Sequence, residues 1–171
     1  MEKKDLLIAR SIEFLEGLKN KTPGTELEDS LNDRFGPGSE TFESLSGLVI
    51  DGVNEGWAAT EEIEGPHYRR GRLLNPCAET FYFSITVVYM ESGPVFRGDY
   101  HAHPYGEINL ITPVTPGAVM NGPNGWCAGG WTSPAPGSHH YPEVRDGAVI
   151  SLFFLPAGRI SYDIAAPAET Q

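Results

Sequence analysis

Apolar residues recur every three to four positions in the first 35 residues, then in short alternating or unbroken runs from residue 48 onward. Residues 4–20 place Leu7, Ile8, Ile12, Phe14, Leu15 and Leu18 on one face, with Ser11 among them, and predict an amphipathic helix. Thr25 and Glu28 have the spacing of a capping box, and Leu27, Leu31 and Phe35 continue a second helix until Gly36-Pro37-Gly38. Ser39 as N-cap predicts a third helical turn through Leu45 that stops at Gly47.

Beyond that point the helical period is lost, and β-branched and aromatic runs alternate with turn residues. Expected strands are Leu48–Ile50, Trp57–Ile63, Phe81–Met90, Tyr100–His103, Glu107–Pro113, Trp126–Trp131, Ala148–Leu155 and Arg159–Asp163. Turns are expected at 91–94, 115–117, 121–125 and 156–158. Many short strands without helices between them predict a mainly β fold, a single antiparallel barrel or jelly roll. The division is then a helical segment, 1–47, packed on a β-barrel region, 48–171, as one structural domain.

Composition supports this. The 20 Gly and 14 Pro lack a collagen period, and 40% of residues are still hydrophobic, so a turn-rich globular core is expected. A formal charge of −11 excludes the basic footprint of a nucleic-acid binder and disfavours an anionic membrane surface. No apolar run reaches the roughly 18 residues of a membrane span. The first residues lack a small-residue cleavage site, which gives a cytoplasmic expectation. Two cysteines, Cys77 and Cys127, without a CxxC are too few for a disulfide scaffold or a cysteine-built zinc site and read as plain thiols.

Four of the five histidines form two clusters, His101-Ala102-His103 and His139-His140. Strand residues i and i+2 share a face, so His101 and His103 project together, and Glu107 follows close behind the Pro104-Tyr105-Gly106 kink. Imidazoles with one carboxylate suit Fe(II), Mn(II), Zn(II) or Ni(II) better than Ca(II) or Mg(II). His67 stands alone and reads as a loop residue.

Gly98-Asp99-Tyr100-His101-Ala102-His103-Pro104-Tyr105-Gly106-Glu107 resembles the first cupin motif, and Gly137-Ser138-His139-His140 resembles the GxxH of the second. The resemblance implies a cupin-type barrel with a divalent ion on His101, His103, Glu107 and His140. Adjacent strand residues face opposite sides, so His139 replaces His140 only if the register slips. More narrowly, the helical start, the stretch His101 to Ile111 and the run Asn124 to Pro142 resemble the bacterial 4-hydroxylaminobenzoate lyases.

That resemblance implies conversion of 4-hydroxylaminobenzoate to 3,4-dihydroxybenzoate with release of ammonia, in nitroaromatic breakdown. His139, Tyr105 and Tyr141 are then candidates to move protons. The small aromatic carboxylate needs a cation, for which Arg97, next to the first motif, is preferred over Arg69-Arg70-Gly71-Arg72, read as a solvated loop. Trp131 and Trp126 are candidate ring walls. Sheet edges and an apolar helix face imply a homodimer. The alternatives are an iron-dependent cupin dioxygenase acting on a small aromatic acid and a non-catalytic small-molecule-binding cupin.

Overall fold

Each of the three helices is built on an apolar stripe that faces a sheet. In the computed structural model, which describes residues 1–168, α1 (Lys3–Glu16) buries Leu7, Ser11, Phe14 and Leu15. Helix α2 (Thr25–Phe35) buries Leu27, Glu28 and Leu31, and α3 (Glu40–Glu55) buries Phe42, Leu45, Leu48, Val49 and Gly52. These spacings of three and four are the sequence pattern turned into a packed face.

Two helix signals act differently from expectation. Gly24, not Thr25, caps α2, and no side chain caps it; the Glu28 carboxylate instead leaves the helix to accept from the Ser133 amide at 2.9 Å and from the Asn124 side chain. Helix α3 does start at Ser39, whose hydroxyl accepts from the Phe42 amide at 3.2 Å, but it does not stop at Gly47. It runs through the expected strand Leu48–Ile50 and ends at Gly56 in the left-handed conformation, φ 81°. Gly47 faces solvent with nothing near the place of a Cβ, so it costs only helix propensity. At Gly52 a Cβ would stand 2.7 Å from the Trp57 ring. The apolar stripe thus overrides the local strand preference of Leu-Val-Ile.

Twelve strands follow among the described residues: β1 (Glu61–Glu62), β2 (Tyr68–Leu74), β3 (Phe83–Glu91), β4 (Val95–Arg97), β5 (His101–His103), β6 (Ile108–Pro113), β7 (Val119–Gly122), β8 (Gly125–Cys127), β9 (Gly130–Thr132), β10 (Ser138–His140), β11 (Glu143–Arg145) and β12 (Ala148–Pro156). They form antiparallel sheets ordered β1-β2-β3-β12-β6-β9, β4-β11-β7-β8 and β10-β5. The fold is mainly β, as the strand pattern predicts. Trp57–Ile63 contributes only its end, Trp126–Trp131 divides into β8 and β9, and Arg159–Asp163 contributes a single bridge, Ser161 to Ala102. The arginine-rich stretch read as a loop is strand β2.

Alternation divides the large sheet into two chemically distinct faces. Ile85, Val87, Ile108, Leu110, Trp131, Ile150, Leu152 and Phe154 pack outward against Leu7, Phe14, Leu15, Leu31, Leu45 and Val49 of the helices. Each fully buried Leu or Ile in this layer stabilises the fold by about 1.5–3 kcal/mol. The helices are also hydrogen-bonded to the sheet edge. The Asn32 side chain donates to the Trp131 carbonyl and accepts from its amide, both at 2.8 Å, so α2 acts as a partner for β9.

Candidate metal centre

The opposite face of the same sheet is the floor of a cleft. Across it the register sets Tyr68 opposite Met90, Arg70 opposite Val88, Val88 opposite Ser151, Phe153 opposite Asn109, and Asn109 opposite Thr132. All of these line one cavity of about 580 Å³, open mouth included, together with His101, Glu107 and His140. Its mixture of apolar walls with a few polar groups is that of a small-molecule site.

The two histidine clusters meet because β5 and β10 pair antiparallel, with His101 opposite His140 and His139 opposite Ala102. The Gly137 amide donates to the His103 carbonyl at 2.8 Å and ties the two segments together. One ring nitrogen from each of His101, His103 and His140 falls in a group whose members lie within 4.8 Å of one another. The Nε2 atoms of His103 and His140 are 3.3 Å apart. Nδ1 of His101 lies 3.0 Å from the Asp99 carbonyl, an acceptor only, so Nδ1 carries the hydrogen and Nε2 keeps its lone pair.

Electrostatics favour neutral rings at His101 and His140. Burial lowers the His101 pKa, against the opposing hydrogen bond to Asp99. Burial, followed by the neighbouring charges of His101 and His103, lowers that of His140 to about 4. For Glu107 burial works to raise the pKa, but attraction to the neighbouring His103, reinforced by the nearby Asn109 and His101, outweighs it and holds the carboxyl below its ordinary value.

Glu107 lines the cleft but stands outside the three-nitrogen group, with Oε2 3.1 Å from His103 Nδ1. That contact is close but not aligned as a hydrogen bond, so Nδ1 is a buried nitrogen without a hydrogen-bond partner. Its backbone is fixed by the Pro134 carbonyl, which accepts from its amide at 3.0 Å, and by Ser133, whose hydroxyl donates to its carbonyl at 3.0 Å. The structure therefore gathers His101, His103 and His140, and sets Glu107 behind His103.

The other candidates lie elsewhere. His139 is exposed on the far face of β10 and its Nδ1 meets the Tyr100 hydroxyl, as strand alternation requires. Tyr105 is 54% exposed in the turn after β5. Tyr141 packs on Tyr100 and under the Arg97 guanidinium, and does not line the cleft. Arg97 is spent on Glu143, with Nη2 2.7 Å and Nε 2.8 Å from Oε1. Trp126 is exposed under Arg145. Trp131 points to the helical face, where it stacks on Phe14 at 4.6 Å and donates to the Phe35 carbonyl at 2.8 Å. His67 pairs with Glu91 at the surface.

Residues 9–162 match the model of the 4-hydroxylaminobenzoate lyase family, PnbB. Two relatives named 4-hydroxylaminobenzoate lyase align over nearly their full length. One, from Nocardioides sp. (strain LMS-CY), is 63% identical over 95% of this chain and 96% of its own. The other, from Pseudomonas putida, is 60% identical over 97% and 99%. The chain belongs to the 4-hydroxylaminobenzoate lyase family. Among solved structures it is similar to an RmlC-like cupin from Shewanella frigidimarina, at 20% identity, a TM-score of 0.41 and coverage of 57% of this chain and 82% of that one. Family membership rests on the sequence matches.

In this lyase-family chain the donor set fits a divalent transition ion. Two imidazole nitrogens bound to one ion at about 2.0–2.1 Å, with tetrahedral spread, stand about 3.3 Å apart, which is the separation of the His103 and His140 Nε2 atoms. The neutral His101 and His140 rings have lone pairs to give, and a carboxylate behind a ligating histidine is the usual outer partner of such a site. Sequence reasoning missed Tyr68, Asn109 and Thr132 of the cleft floor and passed over Arg70, because these residues come together with Phe153 only through strand register. The available signal was the alternation of Tyr68, Arg70 and Arg72, obscured by three arginines and a glycine.

Proposed function

We propose that the chain converts 4-hydroxylaminobenzoate to 3,4-dihydroxybenzoate and ammonia, at a site that needs a divalent ion held by His101, His103 and His140. The reaction takes up one water and balances without an external oxidant or reductant. The N–O and C–N bonds break, nitrogen is reduced by two electrons to ammonia, and the ring is oxidised by two as it gains its second oxygen. When bound, the ion supplies Lewis acidity for a departing oxygen and lowers the pKa of water.

The chain's residues do the rest. Burial keeps His101 and His140 neutral, so they offer lone pairs rather than charge. Glu107 holds His103 from its Nδ1 side and, ionised at the edge of the cleft, is the base that takes a proton from the water adding to the ring. Val88, Met90 and Phe153 give the aromatic ring an apolar bed and limit bulk water around it.

The observation that carries this reading is the meeting of three buried or half-buried histidine nitrogens, those of His101 and His140 on the wall of the cleft, in a chain of this family. The test is anaerobic turnover by protein reconstituted separately with Fe(II), Mn(II) and Zn(II). Equimolar 3,4-dihydroxybenzoate and ammonia without oxygen uptake is the expected result. Strict dependence on oxygen would instead assign a dioxygenase.

A further inference from the structure

Arg70 is the one lysine or arginine among the residues lining the cleft. Strand β2 delivers it there by alternation: Arg69 turns outward and its guanidinium lies 4.6 Å from the Tyr89 ring centroid, while Tyr68 and Arg70 turn inward. Among the described residues Arg70 joins no ion pair, although the chain has 23 acidic residues against 12 basic ones. Its hydrogen-bond partner is neutral, the Tyr162 hydroxyl, 2.9 Å from Nη1. Glu61 stands opposite Arg70 on β1 but makes no ion pair with it, and a half-buried guanidinium with donors to spare and no carboxylate in contact is built for an anion that arrives from outside.

Tyr162 defines the length of that site. Its hydroxyl meets Arg70, while its ring centroid lies 5.8 Å from that of His101. Guanidinium and histidine wall are therefore bridged by one para-substituted benzene ring belonging to the protein. The segment is fixed by Ser161, whose amide and carbonyl pair with Ala102 at 3.0 and 2.7 Å, between the two histidines of β5. A phenol that accepts from arginine keeps its own O–H to donate.

We propose that Arg70 and Tyr162 together bind the substrate carboxylate and so select an aromatic acid whose reacting nitrogen lies para to it. This rests on the lyase reading for the identity of the reacting group, but the anion site itself does not. A guanidinium and a phenol O–H hold the carboxylate at one end of the cleft. The ring then lies over the apolar floor, and the para position reaches the histidines.

The experiment is calorimetric titration of benzoate into wild type, Arg70→Met, Arg70→Lys and Tyr162→Phe, each with its metal content measured. Alongside it, kcat/KM is determined for 4-hydroxylaminobenzoate, its 3-isomer and N-phenylhydroxylamine, which lacks the carboxylate. Loss of a charge-assisted hydrogen bond predicts benzoate binding weakened roughly 10- to 100-fold in Arg70→Met. Tyr162→Phe should weaken it less, and Arg70→Lys should recover part of the loss. The preference of wild type for the para acid over N-phenylhydroxylamine should fall by a similar factor in Arg70→Met. Benzoate binding equal to wild type in both Arg70 variants would overturn the proposal, as would an unchanged preference. If wild type releases no ammonia from any substrate yet binds benzoate through Arg70, the anion site stands and the lyase reading falls.

Discussion

Replacing Trp131 by Phe tests whether this residue serves the fold or the substrate. The indole Nε1–H donates to the Phe35 carbonyl at 2.8 Å and the ring stacks on Phe14 at 4.6 Å, at 1% exposure. Loss of the hydrogen bond costs about 1 kcal/mol. The smaller ring leaves about 40 Å³ unfilled, which at about 24 cal/mol per Å³ adds about 1 kcal/mol, and the lost apolar burial adds about 1 kcal/mol more. Together these amount to about 3 kcal/mol, or a fall in Tm of about 6–12 °C for a chain of this length. The assay pairs a thermal melt with KM for 4-hydroxylaminobenzoate measured well below the transition. The structure predicts the fall in Tm with KM changed less than twofold. A KM raised tenfold at unchanged Tm would show that the indole faces the substrate and that the assignment of sheet faces is wrong.

Three further outcomes follow from other parts of the molecule. Gly106 has φ 83°, and a Cβ there would stand 2.5 Å from the Pro23 Cβ and 2.9 Å from the Pro134 carbonyl oxygen; Gly106→Ala should cost about 2–4 kcal/mol in chemical denaturation and displace Glu107. Arg97→Met should leave KM for the aromatic acid unchanged within twofold, since Arg97 is engaged by Glu143, and a tenfold rise would return Arg97 to the cleft. In metal-free protein the native His140 refuses a proton down to about pH 4, whereas an unfolded histidine accepts one near 6.5. Its neutral burial therefore costs nothing above pH 6.5 and destabilises progressively as pH falls toward 4, by up to about 3 kcal/mol. Urea midpoints at pH 7.5 and 4.5 should differ less in His140→Gln than in wild type, and an equal difference would contradict the depressed pKa.

Much of this was legible in the sequence where local pattern and tertiary packing agree. The stripes of α1 and α2, the long apolar runs of β3 and β12, and the His101-Ala102-His103 spacing all act as their periodicities predict. Reading failed where distant packing decides. Leu48–Ile50 has strand-like composition, yet the stripe from Phe42 to Gly52 keeps it helical, and Trp57 packs against the surface that Gly52 leaves open. Glu28 has the spacing of a capping residue but its partners lie about a hundred residues away. Trp131 lies close to the histidine pair in sequence and on the opposite face of the sheet in space, because strand alternation and not sequence distance determines what reaches the cleft. For the same reason Arg70, hidden in a run of arginines, lines the cleft while Arg97, beside the motif, does not.

The central claim is that His101, His103 and His140, with His139 turned away, hold one divalent ion in the cleft. Metal content per chain after reconstitution and desalting tests it most directly, in wild type, His140→Ala and His139→Ala. The structure predicts one equivalent in wild type and in His139→Ala, and a loss of most of it in His140→Ala. A full equivalent retained by His140→Ala, or lost from His139→Ala, would contradict it.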